Sequence, residues 1–425
     1  MKSFVYLAAF FAATMIVPVA DAACEQGAYG SPDNFVVVVP LPDASQEAHR
    51  YLFLDGRRGS TSDAGAPVRC ADGGIAVEQS DGRAQRWNSI PITSTDTTFS
   101  SLQTDLVGRL IEPASAAGST RPLVVMVHGS ERNSALNSPY AYVLAAQGIS
   151  VFVYDKRGTG GSQGEYTQNF ELLAEDAAAA LEHARTMKNG KYSRSGYFGG
   201  SQGGWVAPLA ATRSGADFVA VGFGLVASPI EEDREQMFSE ARELGLGDEA
   251  IALLQRLSYA TSRLLLTEFK EGYEDLAKVR REIAAHGWAD KIRGEYSGEM
   301  LRMSEDELRR LGRARFDNLE LIWDYDSISA LKRLDAPLLW VLAENDREAP
   351  IETTQAALLQ LMKAGKPIDV YVFPDTDHGM MEFVTNADGS RKSTRITNGY
   401  LKLLGDWIRG DAEDAYGRAR KLEQE

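Results

Sequence analysis

Residues 196–205 read Gly-Tyr-Phe-Gly-Gly-Ser-Gln-Gly-Gly-Trp, and this segment is the most informative about the fold of the chain. A short run predicted as a strand (196–198) leads into the pattern Gly-x-Ser-x-Gly at 199–203, and a helical segment (205–212) follows. Small residues allow a sharp turn that lifts the hydroxyl of Ser201 above a sheet. This context predicts a nucleophilic serine; a glycine-rich turn with an idle serine is the alternative.

The segments around this turn alternate between strand and helix patterns. Near-continuous apolar runs at 123–127 and 149–154 are typical of strands buried on both faces. Further strands are predicted at 218–223, 337–342 and 368–373, and further helices at 170–181, 352–364 and 398–408. This alternation predicts an α/β fold with a mostly parallel, doubly wound sheet.

Two regions depart from the alternation. Residues 230–325 contain charged amphipathic helices, which predict a helical cap inserted over the sheet. Residues 23–112 contain short extended runs separated by Gly, Asp and Ser, which predict a small β-rich domain. This domain carries no catalytic constellation, and a module that binds the cell envelope or a polysaccharide is one interpretation. The α/β domain is then expected at 113–425.

The amino terminus has the pattern of an export signal. Lys2 precedes an apolar run at 4–19, and Ala20-Asp21-Ala22 fits cleavage after Ala22, so residues 1–22 are predicted to be a signal peptide. Lipoprotein processing at Cys24 is the alternative, although Asp21 does not suit such a site. We therefore expect a periplasmic or extracellular protein without stable membrane insertion after cleavage.

The net charge and the cysteine content limit which binding partners and bound groups are expected. The formal net charge is -15, from 45 Lys and Arg against 60 Asp and Glu, so the chain is not expected to bind nucleic acid. In an oxidising compartment Cys24 and Cys70 are candidates for one disulfide, with two unpaired thiols as the alternative. Neither has metal-ligand spacing, so no metal site is predicted.

A base must activate the serine, and in this fold the partners follow in the order Ser, acid, His. Only His286 and His378 lie after Ser201, and His286 falls in the supposed cap. His378 follows the last predicted strand in Asp-His-Gly, so it is the predicted base.

The acid that orients this base is expected after the strand at 337–342. Asp346 is the predicted residue, because a loop there could bring a carboxylate to the imidazole. Glu344, Asp375 and Asp377 stay open as competitors.

Two loops are expected beside the serine. The amide of Gln202 and that of Gly129 or Ser130, at the end of the strand at 123–127, are predicted to form an oxyanion hole. His128 is expected to have a structural side chain. The glycine-rich run at 155–162 lacks GxGxxG spacing and a Walker lysine, so a structural loop is favoured over a phosphate site.

These motifs resemble the α/β-hydrolase superfamily, and more closely the bacterial two-domain carboxylesterases related to the EstD esterase, which also match a serine aminopeptidase-like domain. The resemblance covers about 104–410 and rests on HGS at 128–130, DKRGTGGS from 155, GGSQGGW from 199, WDYD from 323, LAENDREAP and DTDHG. It implies a Ser201, Asp346, His378 triad, oxyanion donors at Gln202 and Ser130, and no cofactor. Relatives often have glycine where Glu131 stands here.

The expected function is cleavage of small carboxylic esters by a secreted serine hydrolase through an acyl-enzyme. A peptidase or aminopeptidase shares this machinery and would need an acidic anchor, for which Glu131 and the acidic cap helices are candidates. A non-catalytic binding protein of the same fold is the third hypothesis. The oligomeric state is not predicted.

Overall fold

The computed structural model describes residues 24–41, 48–71, 74–114, 120–187 and 191–423. The predicted signal peptide lies outside these residues. Within the described part of the chain, no helix is long and apolar enough to cross a membrane.

The first eight strands build two small antiparallel sheets. A five-stranded sheet has the order β4-β3-β2-β1-β8, and a three-stranded sheet has the order β5-β6-β7. The strands are β1 (Gly27–Ser31), β2 (Asn34–Pro40), β3 (His49–Phe53), β4 (Arg58–Ser60), β5 (Val68–Ala71), β6 (Gly74–Glu78), β7 (Ala84–Trp87) and β8 (Ser89–Ile90).

The remaining strands build the central sheet and one small sheet. They are β9 (Ile92–Ser101), β10 (Thr104–Pro113), β11 (Arg121–Val127), β12 (Ser150–Tyr154), β13 (Tyr192–Gly200), β14 (Phe218–Gly222), β15 (Leu338–Ala343), β16 (Ile368–Phe373), β17 (Thr376–Asp377), β18 (Met381–Thr385), β19 (Arg391–Ile396) and β20 (Arg420–Leu422). The central sheet has nine strands in the order β20-β16-β15-β14-β13-β11-β12-β10-β9, and β17, β18 and β19 form the small sheet.

The helices are α1 (Pro139–Ala146), α2 (Phe170–Met187), α3 (Gly203–Ser214), α4 (Pro229–Glu243), α5 (Asp248–Leu266), α6 (Tyr273–Ile283), α7 (Ser297–Arg302), α8 (Glu305–Phe316), α9 (Ser327–Arg333), α10 (Glu352–Lys363) and α11 (Tyr400–Arg409). Two 3₁₀ turns lie at Ala289–Lys291 and His378–Met380.

The central sheet is parallel from β11 to β16 and antiparallel at both edges. β11 lies between β12 and β13, so the loops that follow these three strands emerge side by side at one edge of the sheet. Ligand sites of open α/β sheets form at such a switch point. The predicted α/β-hydrolase fold is confirmed, and its geometry places the serine turn after β13 next to the loops after β11 and β12.

Helices cover both faces of this sheet. Apolar side chains of α2, α3, α9 and α10 pack on one face, and those of α1 and α11 pack on the other. Strands such as β12 and β14 are buried along their whole length, which explains their near-continuous apolar sequence.

The amino-terminal strands do not form a separate body ending at residue 112. β9 and β10 belong to the central sheet, and alternate residues of β2 point into different cores. Val37 and Val39 pack with α1 and α11, whereas Val36 and Val38 pack with the three-stranded sheet. Because β10 pairs with β12 and β9 pairs with β10, the central sheet extends back to Ile92, across the predicted boundary between 112 and 113.

The insertion between β14 and β15 has its own apolar core, built from α4, α5, α6, α7 and α8. Helix α9 instead packs with the central sheet, so the cap ends before α9. The Arg347 guanidinium, in the loop after β15, lies 2.9 Å from the Glu243 carboxylate at the end of α4. The cap is thus tied to the edge of the sheet where the serine turn lies.

Candidate active site

Ser201 occupies a strained turn between β13 and α3. Its φ of 51° lies in the left-handed region, which residues with a side chain rarely adopt. The Ser201 amide donates to Gly222 O at 3.2 Å, so the neighbouring strand β14 holds the turn. Strain of this kind is held in place at functional sites, and here it raises the serine above the sheet.

The glycines on either side make the turn sterically possible. A Cβ on Gly199 would lie 2.2 Å from the carbonyl oxygen of Gly203, and a Cβ on Gly203 would lie 2.3 Å from that of Val127. Both are backbone contacts that cannot move aside. The Gly-x-Ser-x-Gly pattern is therefore a packing requirement of this strand–turn–helix unit.

His378 and Asp346 complete a hydrogen-bonded chain with the serine. His378 Nε2 lies 3.2 Å from Ser201 Oγ, and His378 Nδ1 lies 2.9 Å from Asp346 Oδ2. The other carboxylate oxygen of Asp346 accepts from the amides of Glu348 and Ala349 at 3.0 and 2.7 Å. A fixed, buried carboxylate on Nδ1 leaves Nε2 free to take the serine proton.

The three competing carboxylates point elsewhere. Asp377 accepts from the amides of Arg347 and His378 and pairs with Arg391, so it shapes the histidine turn without reaching the ring. Glu344 pairs with Arg420, and Asp375 pairs with Arg418. Among the four candidates, only Asp346 contacts the imidazole.

Burial and charge shift the ionisation of this pair. Burial raises the pKa of Asp346, and the adjacent His378 offsets part of that rise. Burial alone would lower the pKa of His378, but the hydrogen bond and charge of Asp346, with Glu348 and Asp377, raise it to about 9. Glu348 Oε1 lies 3.5 Å from His378 Nε2, so a second carboxylate competes with the serine for this nitrogen.

The loop after β11 lies beside the nucleophile. A Cβ on Gly129 would lie 3.3 Å from Ser201 Cβ, so this loop passes in close contact with the serine. Among the described residues, neither the Ser130 amide nor the Gln202 amide donates a hydrogen bond to another group. Both donors are thus available to an oxyanion near Ser201.

The glycine-rich loop after β12 holds this region together. Asp155 accepts from Ser134 Oγ, the Ala135 amide and the Gly161 amide at 2.7 to 2.9 Å. Arg157 makes a buried two-point contact with Asp176 of α2. These contacts agree with the expected structural loop and leave no free arginine or aspartate for a phosphate site.

Lys156 and Tyr166 were not anticipated from sequence. Lys156 Nζ donates to Gly129 O at 2.5 Å, and Tyr166 Oη donates to Ser130 O at 2.5 Å. A usable signal existed, because Lys156 directly follows β12, the neighbour of β11 in the sheet.

The other histidines of interest have structural positions. His128 Nε2 donates to Tyr154 O at 2.9 Å, as expected for a residue that supports the turn. His286 lies against Trp288 in the cap, with ring centroids 5.6 Å apart.

Two carboxylates of the cap, Glu295 and Glu232, interact with charged groups of the active site. Asp233 of α4 accepts from the amides of Tyr296 and Ser297 at 2.9 and 3.0 Å and thereby fixes the segment that carries Glu295. Burial, with the charges of Glu348 and Asp233, raises the pKa of Glu295 to about 7. Burial and the neighbouring acids Glu295, Glu348, Asp346 and Asp233 also raise the pKa of Glu232 well above its usual range.

We define the acidic wall as Glu232, Glu295 and Glu348. Of this wall, only the general acidity of the cap helices was apparent from sequence.

Cys24 and Cys70 form a disulfide, with their Cα atoms 4.9 Å apart. It joins the chain just before β1 to β5 and lies in the core between the two amino-terminal sheets, far in the fold from Ser201. Elsewhere in the described residues, no group of three or more His, Cys, Asp or Glu side chains is arranged to hold a metal ion.

The family model described as "Serine aminopeptidase, S33" matches residues 118–381, more than half of the chain. The fold and the Gly-x-Ser-x-Gly turn at 199–203 are those of the α/β-hydrolase class. Within that class, the chain belongs to the S33 serine aminopeptidase family.

Individual relatives are more distant. Proteins described only as uncharacterized from two Mycobacterium tuberculosis strains are each 34% identical over 91 residues, which is 21% of this chain and 32% of theirs. The chain thus spans about a third of these curated relatives.

Solved structures with a similar fold include an acylaminoacyl peptidase of Pyrococcus horikoshii (16% identity, TM-score 0.42, 80% of this chain and 45% of that one). An esterase of Pyrococcus furiosus is also similar (15% identity, TM-score 0.41, 68% of this chain and 85% of that one). Similarities of this size do not specify an activity.

Proposed function

We propose that this chain is an exported serine hydrolase that cleaves carboxylic esters through an acyl-enzyme. The proposal rests on two consecutive hydrogen-bond contacts of His378. Its Nε2 lies 3.2 Å from Ser201 Oγ, and its Nδ1 lies 2.9 Å from Asp346 Oδ2. Nucleophile, base and orienting carboxylate stand within the reach that acyl transfer requires.

In acylation, His378 Nε2 takes the hydroxyl proton while Ser201 Oγ bonds to the ester carbonyl carbon. The carbonyl oxygen becomes an oxyanion, which the amides of Gln202 and Ser130 stabilise. Collapse of this intermediate breaks the ester bond, and the imidazolium gives its proton to the leaving alkoxide. Asp346 keeps Nδ1 protonated and balances the imidazolium charge throughout.

In deacylation, the same groups act on water. His378 takes a proton from water as its oxygen attacks the acyl carbon, and the second oxyanion occupies the same amides. Its collapse releases the acid, and the proton returns to Ser201 Oγ. These steps use only side chains and amides of this chain together with water.

The test is hydrolysis of p-nitrophenyl esters from acetate to palmitate by the mature protein. Ser201→Ala should lower kcat by roughly 10⁴ to 10⁶. Ser390→Ala, in the exposed turn between β18 and β19, is the matched control and should keep full activity. A folded wild-type protein that cleaves none of the esters, or a Ser201→Ala variant as active as wild type, would overturn the proposal.

A peptidase that acts on free amino termini is the second candidate, and the acidic wall is the observation that favours it. Carboxylates beside His378 would attract a protonated amine next to the scissile bond and repel an acidic substrate. The raised pKa values of Glu232 and Glu295 are consistent with a site where unpaired carboxylates lack a countercharge.

Aminoacyl p-nitroanilides with a free or an acetylated α-amino group separate the two candidates. A peptidase of this kind should prefer the free amine, and Glu295→Gln should raise KM for the free amine alone. Glu274→Gln, an exposed carboxylate of α6, is the control. Equal rates on free and acetylated substrates would exclude recognition of the amine.

Export to the periplasm or the extracellular space is part of the proposal. The disulfide between Cys24 and Cys70 supports it, because such bonds persist in oxidising compartments. A close relation to EstD-type carboxylesterases, small ester substrates and the absence of nucleic-acid partners likewise remain predictions. Recovery of mature protein starting at Ala23 from the periplasm or the medium would test the export prediction.

A further inference from the structure

We propose that Lys156 is a positioning residue that holds the Gly129–Ser130 peptide so that the Ser130 amide faces the oxyanion. This inference rests on the proposed serine hydrolase function. Its basis is the contact between Lys156 Nζ and Gly129 O, which are 2.5 Å apart.

The direction of the Ser130 amide follows from the geometry of one peptide group. In a trans peptide the carbonyl of one residue and the N–H of the next point in opposite directions, and the described residues contain no cis peptide. The hydrogen bond from Lys156 orients the Gly129 carbonyl toward the loop after β12. The N–H of Ser130 must then point to the other side, and Gly129 lies next to Ser201.

Gly129 makes such an anchor necessary. A Cβ here would lie 3.3 Å from Ser201 Cβ and 2.8 Å from the flexible Glu131 Oε2, so glycine lets the loop approach the serine closely. Glycine has the least restricted backbone of all residues, and a peptide that follows it can rotate at low cost. The conformation that the oxyanion requires therefore has to be held from outside the loop.

Lys156 is suited to this task by its surroundings. The residue is 3% exposed, and its ammonium group also lies 5.1 Å from the centroid of the Tyr166 ring. Burial lowers the pKa of Lys156 to about 8, and the charge of Glu131 offsets part of that effect. A buried ammonium group with a carbonyl oxygen as its hydrogen-bond acceptor gives a strong, directional contact.

Tyr166 acts on the other side of the same residue. Its hydroxyl donates to Ser130 O, so the peptide groups before and after the Ser130 Cα are each held by one side chain. Lys156 and Tyr166 together form what we call the Ser130 clamp. Within the described part of the chain, neither side chain hydrogen-bonds to Ser201 or His378, which distinguishes the clamp from the reacting groups.

The test compares Lys156→Met with wild type in three readouts. These are kcat and KM for p-nitrophenyl acetate, inhibition by a trifluoromethyl ketone, and the rate at which a fluorophosphonate labels Ser201. The ketone forms an oxyanion when Ser201 adds to it, so its Ki reports on the oxyanion hole. Lys366→Met is the matched control, because Lys366 Nζ also donates to a carbonyl, Leu334 O at 2.9 Å, near β16.

Loss of the anchor should lower kcat about 10- to 100-fold with little change in KM, since removal of an oxyanion donor itself costs roughly 10² to 10³. The Ki of the ketone should rise by the same factor as kcat/KM falls. Lys366→Met should match wild type in all three readouts. Thermal unfolding checks that Lys156→Met is folded, and Tyr166→Phe provides the second variant, with a smaller loss of the same kind.

Values of kcat/KM, Ki and labelling rate within about twofold of wild type would overturn the proposal, as would a rise in KM with kcat unchanged. If wild type is labelled by the fluorophosphonate but cleaves no ester, the ester proposal fails while the labelling rates still test Lys156. If Ser201 of the folded wild type is not labelled, both proposals fail.

Discussion

Removal of the Glu348 charge should shift the pH dependence of the enzyme. His378 acts as a base only when neutral, so kcat/KM should fall as the pH drops through its pKa, which lies at about 9 in the structure. Asp346, Glu348 and Asp377 stabilise the protonated ring, and Glu295 is a further carboxylate close to it. The Glu348 carboxylate lies 3.5 Å from His378 Nε2, and its charge can be removed without breaking a hydrogen bond of the Ser201, His378, Asp346 chain.

The magnitude follows from the distance between the two charges. Glu348 Oε1 lies 3.5 Å from His378 Nε2, and the side chains of His378 and Glu348 are 20% and 56% exposed. With the dielectric constant of water, Coulomb's law gives about 1 kcal/mol, or about 0.8 pKa unit, and partial burial of the pair makes this the lower limit. Glu348→Gln should therefore move the acid limb of the profile to lower pH by at least that amount.

The assay is kcat/KM for p-nitrophenyl acetate between pH 5 and 10, after correction for spontaneous hydrolysis. Below the wild-type midpoint, Glu348→Gln should be up to about tenfold more active, because more His378 is neutral. Glu352→Gln, an exposed carboxylate at the start of α10, should leave the midpoint in place. An unmoved midpoint in Glu348→Gln, or a shift to higher pH, would refute the reasoning.

Three further perturbations test the site and the fold. Asp346→Asn should lower kcat by roughly 10⁴, because the ring loses the carboxylate that fixes its tautomer, whereas Asp375→Asn should change kcat little; comparable losses in both would contradict the assignment. Gly203→Ala should abolish activity and soluble expression, since its Cβ would meet the Val127 carbonyl oxygen, while Gly247→Ala, with no atom within 4 Å, should behave as wild type in both measurements. Replacing Cys24 and Cys70 by serine opens a cross-link that spans 46 residues and should lower the free energy of unfolding by about 4 kcal/mol, measured in denaturant. Ester hydrolysis at 25 °C should be unaffected, and an unchanged unfolding free energy would mean that the disulfide does not form in solution.

Strand and helix positions were largely readable from local patterns. The strand at Ile368–Phe373 is found as predicted, and the helix predicted at 352–364 occurs at Glu352–Lys363. These elements can be predicted because burial on one or both faces imposes a regular pattern of apolar residues on the sequence. The short strands β17, β18 and β19 were not predicted, since exposed polar residues such as those at Arg391–Ile396 show no such period.

The domain boundary could not be read in the same way. β9 and β10 look like the amino-terminal strands in composition, yet they pair with each other and continue through β12 into the central sheet. Which strands pair is decided by contacts between residues far apart in sequence. A local pattern contains no record of such pairing.

The sequence by itself determined the Gly-x-Ser-x-Gly turn and the two cysteines, because each depends on residue type within a short segment. Only the tertiary structure decided which of four carboxylates contacts His378, that Lys156 and Tyr166 hold the loop beside Ser201, and that Glu295 of the cap and Glu348 lie near the histidine. In each case the partners are brought together by neighbouring parallel strands or by the cap. Hydrogen bonds and charge interactions act over a few ångströms, so they are settled by position in space rather than by position along the chain.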